Sequence, residues 1–132
     1  MKFSTKVRSV SLLLIVVCFV LVACSSGKDE AETPCADLAN VEGVTVEQRS
    51  DGAYAVVSGY YPDACTRVSN VDQEVQVDKM EITICTASPP GLMCAQMITP
   101  FELEILLETG GLESGEYTVA VNGIASAAFT IE

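Results

Sequence analysis

From Val41 onward apolar and polar residues alternate with a period of two, the spacing of a strand that buries one face and wets the other. Val44 and Val46 alternate with Thr45 and Glu47, and after the turn sequence Ser50-Asp51-Gly52 the β-rich run Ala53–Tyr61 begins. Val75 and Val77 stand among Glu74, Gln76 and Asp78, and Met80, Ile82 and Ile84 among Glu81 and Thr83. Phe101, Leu103, Ile105 and Leu107 alternate with Glu102 and Glu104. Tyr117, Val119 and Val121 are followed, past Asn122-Gly123, by Ala125, Ala127, Phe129 and Ile131. No segment carries helical periodicity and no repeat is present. About seven short strands, spaced by turn residues, predict an all-β, two-sheet sandwich. Asp78-Lys79 is expected to turn one hairpin, and Pro89-Pro90-Gly91 leaves Ala87–Ile98 as the longest irregular connection.

The last hairpin permits a sharper expectation. Asn-Gly usually marks a two-residue loop, but that register would put Phe129 on the face opposite Tyr117. A one-residue slip moves every side chain to the other face. A three-residue loop Val121-Asn122-Gly123 sets Val119 against Ala125 and Tyr117 against Ala127, brings Phe129 onto their face, and closes on an Ala120–Ile124 pair.

The N-terminus follows a different pattern. Lys2, Lys6 and Arg8 precede an apolar run from Val10 to Val22, broken only by Ser11 and ending at Ala23-Cys24. A run of this length suits the apolar core of a signal peptide, about 7–15 residues, better than a membrane span of about 20. Leu21-Val22-Ala23-Cys24 resembles the lipobox of bacterial lipoproteins. That resemblance implies a diacylglyceryl group on the Cys24 sulfur, cleavage before it, later acylation of the α-amino group in many lineages (commonly palmitate), and a lipid anchor in a membrane. Ser25 is not the aspartate that resembles an inner-membrane retention signal, so in a cell with two membranes the outer one is the expected address. Ser25–Pro34 has no large apolar side chain and reads as a solvated tether. The expected organisation is a signal peptide over 1–23, a lipidated N-terminus and linker over 24–40, and a β-sandwich over 41–132.

Charge narrows the partners. Cleavage before Cys24 removes three of the seven basic residues and none of the 18 acids, leaving a net charge of −14. So acidic a chain does not bind nucleic acid or an anionic lipid surface through its charge.

Without Cys18 and Cys24, four cysteines remain: Cys35, Cys65, Cys85 and Cys94. An even number in an exported chain predicts two disulfides, with three pairings open. With no Cys-x-x-Cys spacing and no histidine, a zinc site is unsupported.

Three segments together resemble a secreted bacterial domain of immunoglobulin-like type: Gly59-Tyr60-Tyr61-Pro62-Asp63-Ala64-Cys65, then Met93-Cys94-Ala95 before Pro100-Phe101-Glu102, then Gly115–Gly123. The resemblance covers about Val44 to Glu132. It implies an immunoglobulin-like sandwich, no activity, and a Cys65–Cys94 bridge, with Cys35 and Cys85 as an extra pair outside the pattern.

Catalysis is poorly served. The chain has no histidine and no mature thiol is expected free, so neither Ser-His nor Cys-His activation is open to it. No phosphate loop or metalloprotease motif is present. No catalytic, cofactor-binding or metal-binding residue is therefore assigned. The expected role is a non-catalytic binding or structural module of the cell envelope, joined to the membrane through lipid on Cys24 and to an envelope protein or glycan through loops or a sheet face, where Tyr60 and Tyr61 are candidates. Two alternatives carry specific residues. A Cys85–Cys94 bridge would close a proline-stiffened loop of protease-inhibitor type, since a rigid loop lowers the entropic cost of binding. Met93 and Met97, with Met80, could offer thioethers to copper.

Overall fold

A computed structural model describes residues 35–132. The expected signal peptide, the lipobox with Cys24 and the tether lie outside the described residues. Eight strands form: β1 (Asp37–Leu38), β2 (Asn40–Arg49), β3 (Gly52–Tyr61), β4 (Arg67–Gln76), β5 (Lys79–Ala87), β6 (Thr99–Leu106), β7 (Gly115–Val121) and β8 (Ala125–Ile131). Among the described residues there is no helix.

The strands make a two-sheet sandwich of immunoglobulin-like type. One sheet is β2-β3-β6, antiparallel throughout. In the other, β5 is flanked by β4 on one edge and by β7 and β1 end to end on the opposite edge, with β8 beyond β7. All pairs are antiparallel except β5 with β7, which run parallel.

Alternation places most of the core where the sequence pattern predicts; the exception is Val75 and Val77, which are exposed because β4 ends at Gln76 and Val77 stands in the turn. Ala55, Val57 and Ile105 of the first sheet face Met80, Ile82, Ile84, Val119 and Val121 of the second, all buried. An aromatic pair fills each end: Tyr61 and Phe101 with ring centroids 4.8 Å apart, and Tyr117 and Phe129 at 5.9 Å. Gly59 sits on the inner face beneath Phe101. A Cβ there would collide with the Asn40 carbonyl oxygen and stand 2.7 Å from the Phe101 ring, so only glycine lets β2 and β6 both close on β3 at that level.

Glutamines close the open edges of the sandwich. Gln48 of β2 donates through Nε2 to the Thr130 carbonyl of β8. Gln73 of β4 donates to the Leu106 carbonyl at 2.9 Å and accepts from the Glu108 amide at 3.2 Å. Side-chain amides can serve both functions because they carry a donor and an acceptor.

Three boundaries differ from the sequence reading. Cys35–Asn40, assigned to the linker, belong to the sandwich: Cys35 is bonded to Cys85, β1 pairs with β5, and Ala39 is buried. The short alternation-free stretch carries no signal of this, because tertiary contacts alone fix it. The β4–β5 hairpin turns at Val77-Asp78, with Gln76 opposite Lys79, one residue earlier than Asp78-Lys79; this leaves Met80 facing the core. The last hairpin has a three-residue loop, but it is Asn122-Gly123-Ile124. Val121 pairs with Ala125, Val119 with Ala127 and Tyr117 with Phe129, so the Ala120–Ile124 closing pair does not form. Burial decides this. Val121 is fully buried and aligned with Ile82 on β5, which draws it out of the loop. Asn122 and Gly123 both adopt positive φ, 51° and 66°, as tight hairpin turns require.

Candidate functional site

Strand directions sort the loops into two poles. The ends of β3 and β5 and the starts of β4 and β6 lie together, because Tyr61 opposes Thr99 and Arg67 opposes Ala87. Cys35, preceding β1, emerges there too, since Asp37 opposes Thr86. The Asn122–Ile124 loop points the same way, because β7 runs parallel to β5. The other pole gathers the 50–51 and 77–78 turns, the segment after β6 and the C-terminal end of β8.

At the first pole a local sequence builds a rigid corner. Asp63 Oδ1 accepts from the amides of Cys65 and Thr66, each at 2.7 Å, and Oδ2 accepts from Thr66 Oγ1 at 2.7 Å. The Thr66 hydroxyl proton is thereby used, so Ser88 Oγ, 2.7 Å away, donates to it. This ties the β3–β4 corner to the start of loop 88–98. The Cys65–Cys94 disulfide and the Ala64 amide, donating to Ala95 O at 3.1 Å, make the second tie. Hydrogen bonds from Thr66 and Cys65 hold the Asp63 carboxyl below its ordinary pKa. A depressed carboxyl contributes stability above its unfolded pKa and loses it as pH falls through the folded value. Protection of the Cys65 and Thr66 amides, taken relative to the exchange of an unstructured peptide at the same pH, should therefore hold through neutral pH and fall only in acid, below the ordinary carboxylate range; equal protection at low pH would contradict this.

Both disulfides are present: Cys65–Cys94, the bridge that the immunoglobulin-like resemblance implies, and Cys35–Cys85, the extra pair outside that pattern. The Cys85–Cys94 ring of the inhibitor alternative does not form, because Cys85 is bonded to Cys35 and Cys94 to Cys65. Met93 and Met97 are exposed on loop 88–98, whereas Met80 is fully buried in the core and not available beside them. Asp63, Cys65 and Cys94 come together as ligand types. The sulfurs there form a disulfide and the carboxylate is engaged in its turn, so no thiolate is offered to a metal. Tyr61 is buried on the inner face and Tyr60 half-buried on the outer one.

The second pole holds a cleft of about 330 Å³, lined by Arg49, Gly52, Thr109, Phe129 and Ile131 among others. Arg49 is committed to its neighbours: it donates to Glu47 at 2.8 Å and bidentately to Glu104 at 2.7 and 3.0 Å, and its guanidinium lies 4.5 Å from the centre of the Tyr54 ring. These bonds raise the Arg49 pKa and lower that of Glu104. The Tyr54 hydroxyl donates to Asp51 at 2.8 Å, which raises its pKa. The cluster is exposed, and its one cation is fully engaged by two carboxylates, so no free cation remains there to grip an anion.

Sequence reasoning missed Asn122. Its backbone amide donates to Ile82 O at 2.9 Å, Oδ1 accepts from the Ile84 amide at 2.8 Å, and Nδ2 donates to the carbonyls of Ala39 at 3.0 Å and Ile84 at 3.3 Å. The side chain thus fills the gap on the edge of β5 between β7 and β1. Only its suitability for a turn is visible in the sequence.

The β-sandwich matches the ORF11 beta-sandwich domain over residues 55–131. The chain belongs to that family. The matched span runs from β3 to β8 and holds Cys65, Cys85 and Cys94. Cys35 and β2 fall before it. Among curated proteins the chain is similar to three from Herpetosiphon aurantiacus. An uncharacterized 10.2 kDa protein in the HgiCIIM 5′ region is 37% identical over 71 residues, 54% of this chain and 74% of that protein. The corresponding 10.2 kDa proteins in the HgiBIM and HgiEIM 5′ regions are each 35% identical over 71 residues, 54% of this chain and 85% of theirs. No solved structure matches the chain.

Proposed function

We propose that this member of the ORF11 β-sandwich family is a lipid-anchored protein of the bacterial cell envelope, cleaved before Cys24 and serving as a non-catalytic binding or structural module outside the cytoplasm. The observation that carries the reading is the closed set of cysteine pairs. Cys35, Cys65, Cys85 and Cys94 bond to one another. The fold therefore makes no demand on Cys24, which stands at the end of the export signal with small Ala23 before it. Disulfides of this kind persist in oxidising compartments, the side of the membrane to which such a signal leads. Two acyl chains give stable anchoring where one is marginal. Ser25 favours the outer membrane in a cell that has one. The partner is an envelope protein or glycan, reached by loops rather than by charge.

Expressed from its full precursor in a bacterium, the protein should sediment with membranes, and its first mature peptide should begin at Cys24 with the mass of a diacylglyceryl group added. The C24S variant should lose both the lipid and the membrane association while keeping its two disulfides. A mature N-terminus elsewhere, or an unmodified Cys24 thiol in the exported protein, would refute the anchor.

A further inference from the structure

We propose that the pole carrying loop 88–98 is a membrane-contacting tip, whose Leu92, Met93, Met97 and Ile98 enter the interfacial zone of an uncharged, zwitterionic bilayer. This rests on the lipoprotein reading, and four observations on this chain lead to it.

First, the loop exposes apolar side chains with no partner in the fold: Leu92 is 62% exposed, Met93 102%, Met97 59% and Ile98 68%. Leu38 of β1 and Ile124 of the last hairpin, toward the same pole, are also exposed. Grouped exposure of this kind marks a contact surface, whereas single exposed residues do not.

Second, the loop cannot fold away to hide these groups. Cys94 is bonded to Cys65, Ser88 is tied to Thr66, and Ala95 O is tied to the Ala64 amide. Pro89 and Pro90 restrict the backbone further.

Third, charge singles out this end. From Ile82 to Phe101 the chain has no charged side chain. Among the described residues, three charges stand at this pole outside that span: Asp63 is engaged in its turn, Arg67 lies over the Tyr61 ring, 5.5 Å from its centre, and Asp37 of β1 is exposed at the edge of β5. The opposite pole carries Asp51, Asp78, Glu108 and Glu113. An acidic body is repelled from anionic headgroups and presents its least charged loop to a zwitterionic bilayer.

Fourth, the chain itself delivers this end to the membrane. Cys35 emerges at the pole of loop 88–98, and eleven peptide steps separate it from Cys24. At about 3.3–3.6 Å per residue the lipidated sulfur lies within about 40 Å of Cys35 whatever the conformation between them. A domain of this size has a radius of gyration near 13 Å. The bilayer is thus the surface held at high effective concentration opposite these side chains.

The chain contains no tryptophan, so one introduced tryptophan reports one place. M93W and V77W should be made separately in the full precursor, isolated as the mature protein, and reconstituted into phosphatidylcholine vesicles with and without brominated acyl chains. Both positions are almost fully exposed, Val77 at the opposite pole, so neither change disturbs packing; intact disulfides and unchanged melting confirm that. Fluorescence of M93W should shift to the blue and fall several-fold in brominated vesicles, while V77W stays unquenched. A lipidated M93W protein quenched no more than V77W overturns the tip and leaves the lipoprotein reading standing, with a protein partner as the occupant of the loop. A mature chain without lipid on Cys24 overturns both, because nothing then holds this pole at a bilayer.

Discussion

Exchanging Asn122 for glycine should cost the sandwich roughly 2–4 kcal/mol, since each buried backbone group stripped of its partner costs about 1–3 kcal/mol. Two such groups depend on this side chain: the Ile84 amide and the Ala39 carbonyl. Ile84 is fully buried and Ala39 nearly so, so water does not replace the lost partners without opening the seam. Glycine keeps the positive φ of 51° at no steric cost, which isolates the side-chain contribution. N122A should cost about 1 kcal/mol more, for forcing a Cβ into the left-handed region. Urea unfolding measures both, and exchange of the Ile84 amide localises the effect. An N122G midpoint within error of the wild type would mean that the seam between β7 and β1 is held by its backbone pairing alone.

Removing the Cys35–Cys85 bridge should be the other large loss. It closes a separation of 50 residues, and chain entropy assigns such a loop about 4 kcal/mol. Cys65–Cys94 closes 29, worth roughly 3.6 kcal/mol on the same relation. Small domains hold about 5–15 kcal/mol in total, so C35A/C85A should be folded only marginally at elevated temperature. The two bridges should also differ in where they act. C35A/C85A releases β1 from the edge of β5, exposing the Ala39 amide that now donates to Ile84 O at 2.9 Å. C65A/C94A leaves the sheets alone and loosens loop 88–98. Calorimetry of the two double variants, with hydrogen exchange at Ala39 and Ala64, checks both statements. A loss below about 1 kcal/mol for C35A/C85A would mean that the unfolded chain is already compact around that contact.

Much of the architecture is legible in the linear sequence, for a simple physical reason. A strand with one buried face repeats every two residues, and that repeat survives in the order of Val44–Val46, Met80–Ile84, Phe101–Leu107 and Tyr117–Val121. The core residues, the all-β class and the long connection over 88–98 follow from it. The facial parity of the last hairpin does too: Tyr117 and Phe129 do share a face.

What alternation cannot carry is the identity of a strand's neighbour. The parallel pairing of β5 with β7, the placement of β1 beyond the end of β7, and the Asn122 seam between them depend on contacts across 38 to 83 residues of chain. The same holds for the start of the domain. Cys35–Asn40 have no period to betray a strand, and they are ordered because β5 offers a free edge and Cys85 a sulfur. Turn chemistry marks Asn122-Gly123 as a loop, but the register is decided by Val121, whose burial against Ile82 outweighs its use as a loop residue. The sequence by itself determined which side chains face inward along most strands, because burial is written as periodicity; Val75 and Val77, at the end of β4 and in its turn, escape it. Only the tertiary structure decided which strand each one meets and which pole the N-terminus leaves from, because those depend on edges and backbone groups that every sequence shares.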